Sequence, residues 1–506
     1  MASTPPELLG RFASGRGGWL IAFVLGVIAA AGQAPLDLWP LALAGFAGLI
    51  ALGLSAPGPW RVARHLWLGG AGYFSAALIW IIQPFLVDVA RDGWMAPFAL
   101  VFMAFGLALF WGAAGYVAAR LGTGRRSRAV ALVLGLTLAE MLRSYIFTGF
   151  PWALIGHLWI PTPVLQLAAL TGPHGLTLLA LALVTLPVVL GRRGALAGML
   201  IGAGVWAAGL WQLAQPVPPR ADPVTVRLIQ PNAAQHLKWR SDMAPVFFHR
   251  QLALTAAPAD PAPDLIVWPE TAVAYTLSGA GPILRQIASA ANGVPVVLGV
   301  HRREGSRAFN AAVVLDQAGG VTQIYDKHHL VPFGEYLPFG ETLARFGLFG
   351  LASGGIGYSP GPGPQIWDLG KAGQVLPLIC YEMIFPNDLR DAPTRPDWVL
   401  QLTNDAWFGS FSGPYQHLAQ ARLRAVEQGL PILRAANTGV TAAIDARGRV
   451  LARLPLNEPG SLDVPLPGAI SARPYARTGD LPAALLLLAA FLALALRRRR
   501  AGSISH

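Results

Sequence analysis

From Trp19 to Trp211 the chain is a succession of apolar runs separated by short basic or Pro/Gly segments, and that pattern leaves few choices of fold. Seven runs, near 19–34, 40–56, 66–86, 95–119, 129–149, 163–190 and 194–213, are followed by an eighth at 481–496. Crossing hydrocarbon takes roughly 17–25 helical residues. The first and last runs are the shortest. Lipid offers backbone N–H and C=O groups no partners, so such runs are expected to be helices. The first reads as a span and not as a cleavable signal, because further spans follow and no small-residue cleavage site stands out.

Arginine gives the expected orientation, since basic residues collect on the cytoplasmic side. Arg11 and Arg16 precede the first run, and Arg61 and Arg64 follow the second. Arg120, Arg125, Arg126 and Arg128 follow the fourth, Arg192 and Arg193 the sixth, and Arg497 to Arg500 the last. These are alternate loops. With eight spans they share one side, which makes both termini cytoplasmic and the 214–480 segment external. The formal charge of +12 is mostly this topological arginine, because residues 214–479 hold 22 Lys/Arg against 20 Asp/Glu. No nucleic-acid-binding face is expected. The expected domains are a seven-helix transmembrane bundle over 1–213, an extracytoplasmic domain over 214–479, and a final helix with a basic cytoplasmic tail over 480–506.

The texture changes at Pro223. Short β-branched runs begin at Val224, Leu265, Val294, Ala311, Val375, Trp398, Ile432 and Val440, and helical patterns cover Pro282–Ala291 and Tyr415–Gln428. Strands alternating with helices predict a layered α/β domain whose strands are buried on both faces. Asp445-Ala-Arg-Gly448 predicts a hairpin turn. No internal repeat is visible.

Cys380 is the single cysteine of 506 residues and ends the apolar run Val375–Ile379. It can be a small buried hydrophobe or a nucleophile on a rigid strand end. In an oxidising compartment an unpaired thiol is a liability unless used or hidden. Glu270 stands just past the run Leu265–Trp268; it can be a first-turn helix acid or a catalytic carboxylate. Lys327 lies among apolar and aromatic residues with Glu335 eight positions on. Together a thiol, a carboxylate and an ammonium form a complete acyl-transfer set: nucleophile, general acid/base and oxyanion stabiliser. They are far apart in sequence, so only the fold can unite them.

Four motifs in order carry a family likeness: Trp268-Pro-Glu-Thr271, Asp326 to Pro338, Cys380-Tyr-Glu382 and Thr403-Asn-Asp-Ala-Trp-Phe-Gly409. They resemble the carbon–nitrogen hydrolase (nitrilase) superfamily. With a membrane bundle before the domain and one span after it, the chain is similar to that superfamily's membrane-embedded branch, the bacterial apolipoprotein N-acyltransferases. The likeness extends to Gln230-Pro-Asn232, Lys238-Trp239, and Glu140 to Arg143 leading into Phe147 to Trp152.

The resemblance implies an αββα sandwich with a Glu-Lys-Cys triad: Glu270 as general base, Lys327 at the oxyanion and Cys380 as nucleophile. Glu335 would be a second essential carboxylate, and Tyr381, Glu382 and Trp239 match further positions needed for activity. It implies a phospholipid acyl donor, a Cys thioester and a diacylglyceryl-modified apolipoprotein acceptor at the bacterial inner membrane, with no cofactor. A monomer suffices.

Three further expectations follow. Residues 345–364, rich in Gly with Phe and Leu, read as a lid over the membrane or as a plain glycine loop. Glu140 and Arg143, at i, i+3 inside the fifth run, are expected to pair. His328 and His329 lack the companions of a metal site, and Asn404 and Asp405 are cleft formers or turn formers. The competing readings are a membrane-tethered amidase hydrolysing a small C–N bond, and a transporter with an accessory domain.

Overall fold

The structure, a computed structural model, describes residues 17–338, 340 and 357–503. It divides into two compact units. The first comprises Met1–Pro216, Phe411–Ala419 and Arg473–His506; the second comprises Val217–Ser410 and Gln420–Ala472.

In the first unit the described apolar runs are helices: α1 (Gly17–Ala30), α2 (Trp39–Ser55), α3 (Pro59–Ala77), α4 (Ala96–Leu121), α5 (Arg125–Arg143) and α6 (Ala168–Ala214), with a C-terminal helix Leu481–Ser503. Small residues let α1 and α3 approach closely: a Cβ on Gly26 would lie 1.9 Å from the Gly69 carbonyl oxygen.

Among the described residues, three stretches can cross a membrane by length and composition: Val89–Leu121, Pro163–Ala214 and Leu481–Arg500. The bent pair Pro59–Ala77 and Ile79–Leu86 adds a fourth. Fewer stretches meet that test than the eight runs read from hydropathy. α1 and α2 are short, and the third run bends by 48° into a 3-10 segment containing Pro84. α5 carries three arginines at its start and stops at Arg143, not at 149, because Phe147, Gly149 and Ala153 take positive φ. α6 breaks at Gly191, between the sixth and seventh expected runs.

Glu140 and Arg143 pair at 3.2 Å, as their spacing predicts. The pair also holds a loop. Glu140 accepts from Trp111 Nε1 and from the Ile155 N–H, each at 2.9 Å, while Arg143 donates to the carbonyls of Phe150 and Trp152. Buried charges are retained when such partners satisfy them.

The second unit contains two six-stranded mixed sheets. One has β1 (Thr225–Gln230), β2 (Leu265–Val267), β3 (Val296–Glu304), β4 (Arg307–Leu315) and β5 (Val321–Asp326). The other has β6 (Trp367–Asp368), β7 (Gln374–Ile379), β8 (Trp398–Thr403), β9 (Ile432–Ala436), β10 (Ala442–Ile444) and β11 (Val450–Arg453). β12 (Gly460–Pro465) returns to the first sheet beside β1. Between the sheets β1 packs against β9 and β4 against β7. The helix Gly281–Ala291 covers the first sheet, burying Leu284 and Ile287 against Ile266, Val296 and Leu298.

Both sheets follow one pairing scheme. In the orders β12-β1-β2-β3-β4-β5 and β6-β7-β8-β9-β10-β11, successive pairs are antiparallel, parallel, parallel, antiparallel and antiparallel. The sequence displays no repeat, and the scheme is visible only in the strand pairing. It puts β2 and β8 in equivalent places, with Glu270 and Asn404 just beyond their ends. The Asp445–Gly448 hairpin joins β10 and β11 as read. Of the expected lid, residues 345–356 lie outside the described residues.

Candidate active site

Glu270 sits in a compressed turn after β2. A Cβ on Gly299 of β3 would lie 2.4 Å from the Thr271 N and 2.6 Å from the Glu270 Cα, so only glycine admits the turn there. Thr271 has φ +47°, an uncommon value for a β-branched residue. The buried Lys238, whose pKa burial lowers to about 7, ties the turn down: its Nζ donates to the Thr271 hydroxyl at 2.8 Å and the Glu270 carbonyl at 3.3 Å.

The Glu270 carboxylate is held at both oxygens. Asn310 Nδ2 donates to Oε1 at 2.7 Å and the Asn404 N–H donates to Oε2 at 2.7 Å. Asn310, on β4, also donates to Glu335 Oε1 at 2.9 Å, so one amide spans two carboxylates. Its backbone carbonyl accepts the Lys327 N–H at 2.9 Å. Nothing in the sequence reading singled it out.

Lys327 follows β5, and its buried Nζ lies 2.8 Å from Glu335 Oε2. The eight-residue separation closes through a turn in which Phe333 has φ +64° and Glu335 Oε2 accepts the Val331 N–H at 2.8 Å. Burial alone would lower the Lys327 pKa, but Glu335, Glu270 and Cys380 outweigh it and hold the ammonium well above its usual range. Glu270 is raised from its ordinary 4.5, chiefly by burial, with Lys327 acting against the rise. Burial and the charge of Glu270 push the Cys380 thiol up, against Lys327 and a hydrogen bond with Thr403. Lys327 thus feels both Glu270 and Cys380, and Cys380 feels both Glu270 and Lys327. Cys380 is 5% exposed and stands at φ +52° between β7 and a 3-10 turn. That kink turns the side chain out of the strand's alternation.

Glu382 is fully buried and joins the two loops. Its Oε1 accepts from the Tyr325 hydroxyl (2.8 Å) and from the N–H groups of His328 (2.8 Å) and His329 (3.2 Å), just after Lys327. Its Oε2 accepts the Ile379 N–H at 2.6 Å, just before Cys380. The His328 ring lies 2.8 Å from Glu382 and 3.6 Å from Asp388. Burial opposes its protonation, but these two carboxylates raise its pKa to about 10.

The remaining expected residues lie around this cluster. Tyr381 packs against Phe385 (5.0 Å between ring centroids) and His329 (5.7 Å). Trp239 is 43% exposed, with Lys238 Nζ 5.0 Å from its ring centre and His301 5.8 Å away. Asn404 reaches Glu270, whereas Asp405 pairs with Arg434 of β9. Asn310 and the Arg434 contact were missed because a lone polar residue inside an apolar strand looks, in sequence, like any tolerated substitution.

Residues 25–186 match the apolipoprotein N-acyltransferase N-terminal domain family, and residues 225–473 match the carbon–nitrogen hydrolase family. Apolipoprotein N-acyltransferase of Rhodopseudomonas palustris is 38% identical, over 98% of this chain and 99% of its own length. That of Caulobacter vibrioides is 38% identical, over 96% of this chain and 95% of its own. Among solved structures, an amidase from Nesterenkonia sp. is similar at 21% identity and a TM-score of 0.37, over 54% of this chain and 98% of its own. The relatives similar over nearly the whole chain do not favour the amidase reading. This chain belongs to the apolipoprotein N-acyltransferase family of carbon–nitrogen hydrolases.

Proposed function

We propose that the chain transfers a fatty acyl group from a membrane phospholipid to the N-terminal amine of diacylglyceryl-modified lipoproteins, through a thioester on Cys380. The observation that carries this reading is the buried cluster in which Glu270, Asn310, Glu335 and Lys327 join hand to hand beside the one thiol. In the first half-reaction Glu270 takes the thiol proton as sulfur attacks the ester carbonyl. The Lys327 ammonium stabilises the oxyanion, the C–O bond breaks, and the proton passes from Glu270 to the departing lysophospholipid. In the second, the lipoprotein amine attacks the thioester, Glu270 takes its proton, the C–S bond breaks and the thiolate is reprotonated.

The electrostatics suit these roles. A thiol raised by burial is protonated at rest, so attack needs a base within reach. Each Glu270 oxygen has one lone pair engaged by Asn310 or Asn404, leaving another for a proton. Cysteine is a better acyl carrier than serine here because a thioester keeps enough reactivity for an amine. Excluding water protects it meanwhile.

The membrane arrangement belongs to the same proposal: eight spans, both termini cytoplasmic, and a periplasmic catalytic domain over 214–479 between the 1–213 bundle and the 480–506 helix and tail. Alternating arginine loops support it. A monomer is enough for the chemistry.

Intact mass after incubation with phospholipid tests the reading. The wild type gains one acyl chain, and Cys380→Ala gains none and loses transfer. Acyl transfer by Cys380→Ala would sink it.

The pH profile supplies a second test. Glu270 must be ionised to act, so acylation falls as pH drops through its pKa, which burial lifts above 4.5. Asn310 stabilises the ionised form. Asn310→Leu therefore moves this acid limb to higher pH and slows acylation by about 10²-fold, within the range of a positioned base.

A further inference from the structure

Behind Cys380 lies a ring of hydrogen bonds that acyl transfer, as described, leaves unused. β7 and β8 are parallel, with Ile379 opposite Leu402. Thr403 ends β8 and Cys380 directly follows the end of β7, so the two lie at neighbouring strand ends. Interaction with the Thr403 side chain lowers the Cys380 pKa, and the Thr403 hydroxyl donates to Asp405 Oδ1 at 2.9 Å. Asp405 is paired with Arg434, whose Nη1 donates to Gln401 Oε1 at 2.7 Å. Gln401 Nε2 donates in turn to the Cys380 carbonyl oxygen at 3.2 Å. Thr403, Asp405, Arg434 and Gln401 are all fully buried.

Counting protons gives the ring a function. A threonine hydroxyl has one proton and can accept as well as donate. While that proton goes to Asp405, the Thr403 oxygen can only accept from the Cys380 S–H. Once the thiol proton leaves for Glu270, sulfur carries a negative charge and needs a donor. The Thr403 hydroxyl can turn about its Cβ–Oγ bond and supply one. Asp405 tolerates the turn because Arg434 still donates to it. An O–H donating to an anion is stronger than a thiol S–H donating to a neutral oxygen, so the exchange favours the thiolate.

We propose that Thr403 is a hydroxyl switch, donating to Asp405 while Cys380 is a thiol and to sulfur when it is a thiolate. The inference rests on the reading of Cys380 as nucleophile. No bond other than S–H breaks, and the sulfur keeps the electron pair.

Thr403→Val tests it, because valine fills the same volume without the hydroxyl. The readout is the pH dependence of Cys380 alkylation by iodoacetamide in the full-length protein, followed by intact mass, which is unambiguous because no other cysteine exists. The midpoint rises by about one pH unit, so that alkylation at neutral pH slows about tenfold. Thr403→Ser, which restores a hydroxyl, returns the midpoint toward the wild-type value. Should the valine variant fail to accumulate, Thr403→Ala carries the same expectation. A purely structural role for the ring would leave the midpoint of a folded Thr403→Val unmoved, and that result overturns the switch. Failure of the underlying reading looks different: Cys380→Ala would then still transfer acyl groups.

Discussion

On the proposed mechanism, replacing Lys327 with methionine reduces acyl-enzyme formation by about 10³-fold, the scale seen when a preorganised oxyanion donor is removed. Two losses act together. The oxyanion loses its cation, and the thiol loses the charge that opposes its upward shift. Lys327→Arg does not rescue, because a planar guanidinium cannot replace a compact ammonium in a site already filled by Glu335, Glu270 and Asn310.

The same substitution destabilises the catalytic unit. Breaking a buried ion pair by removing one partner costs about 3–5 kcal/mol, and the lower end applies because Glu335 keeps 12% of its side chain exposed. The deficit has a pH signature. Without the ammonium, Glu270 rises further above its ordinary value, so the folded state binds a proton more readily than the unfolded chain. Stability lost at neutral pH is thus partly recovered as pH falls. Thermal unfolding of Lys327→Met across pH 5 to 8 measures this, and a deficit constant over that window would refute the electrostatic account.

Much of this site was legible in the sequence, for a physical reason. Glu270 and Cys380 each stand just beyond a run of residues that reads as a strand, where a polar group is conspicuous against the apolar run before it, and Lys327 is a charge set among apolar and aromatic residues. Asn310 carries no such contrast. It sits within β4, where a neutral amide next to Phe309 and Ala311 gives no sign that it spans two carboxylates. β5 and β12 escaped notice because most of their residues are half-buried or exposed. β6 is only two residues long. The shared pairing scheme of the sheets lies in hydrogen-bond direction, which residue type does not encode. Hydropathy overran the helices for a similar reason. It registers how apolar a run is and not whether the backbone stays straight, so Pro84 and the positive-φ residues after Arg143 were invisible to it.

On the proposed mechanism, Glu382→Gln slows acyl-enzyme formation by about 10²-fold, on the scale that misplacing a reacting group by about 1 Å costs, although the side chain acts only through the two loops it joins. The carboxylate accepts at both oxygens, and each oxygen faces donors that cannot turn away: two backbone N–H groups after Lys327 on one side, and the Ile379 N–H before Cys380 on the other. Glutamine has the same volume but one oxygen. Whichever way the amide is placed, its NH2 confronts a backbone N–H in a site without solvent, and a buried donor left unsatisfied costs about 1–3 kcal/mol. If the amide oxygen stays with His328 and His329, Ile379 is released and the strained Cys380 turn relaxes toward an ordinary φ. If it stays with Ile379, the loop after Lys327 loosens and the ammonium drifts from the oxyanion. Either way nucleophile and cation lose their common register. The defect is therefore expected in kcat more than in KM, since Glu382 is fully buried and what it displaces is the nucleophile and the cation. An unaltered kcat in a folded Glu382→Gln protein would mean that the two loops hold their positions without this bridge.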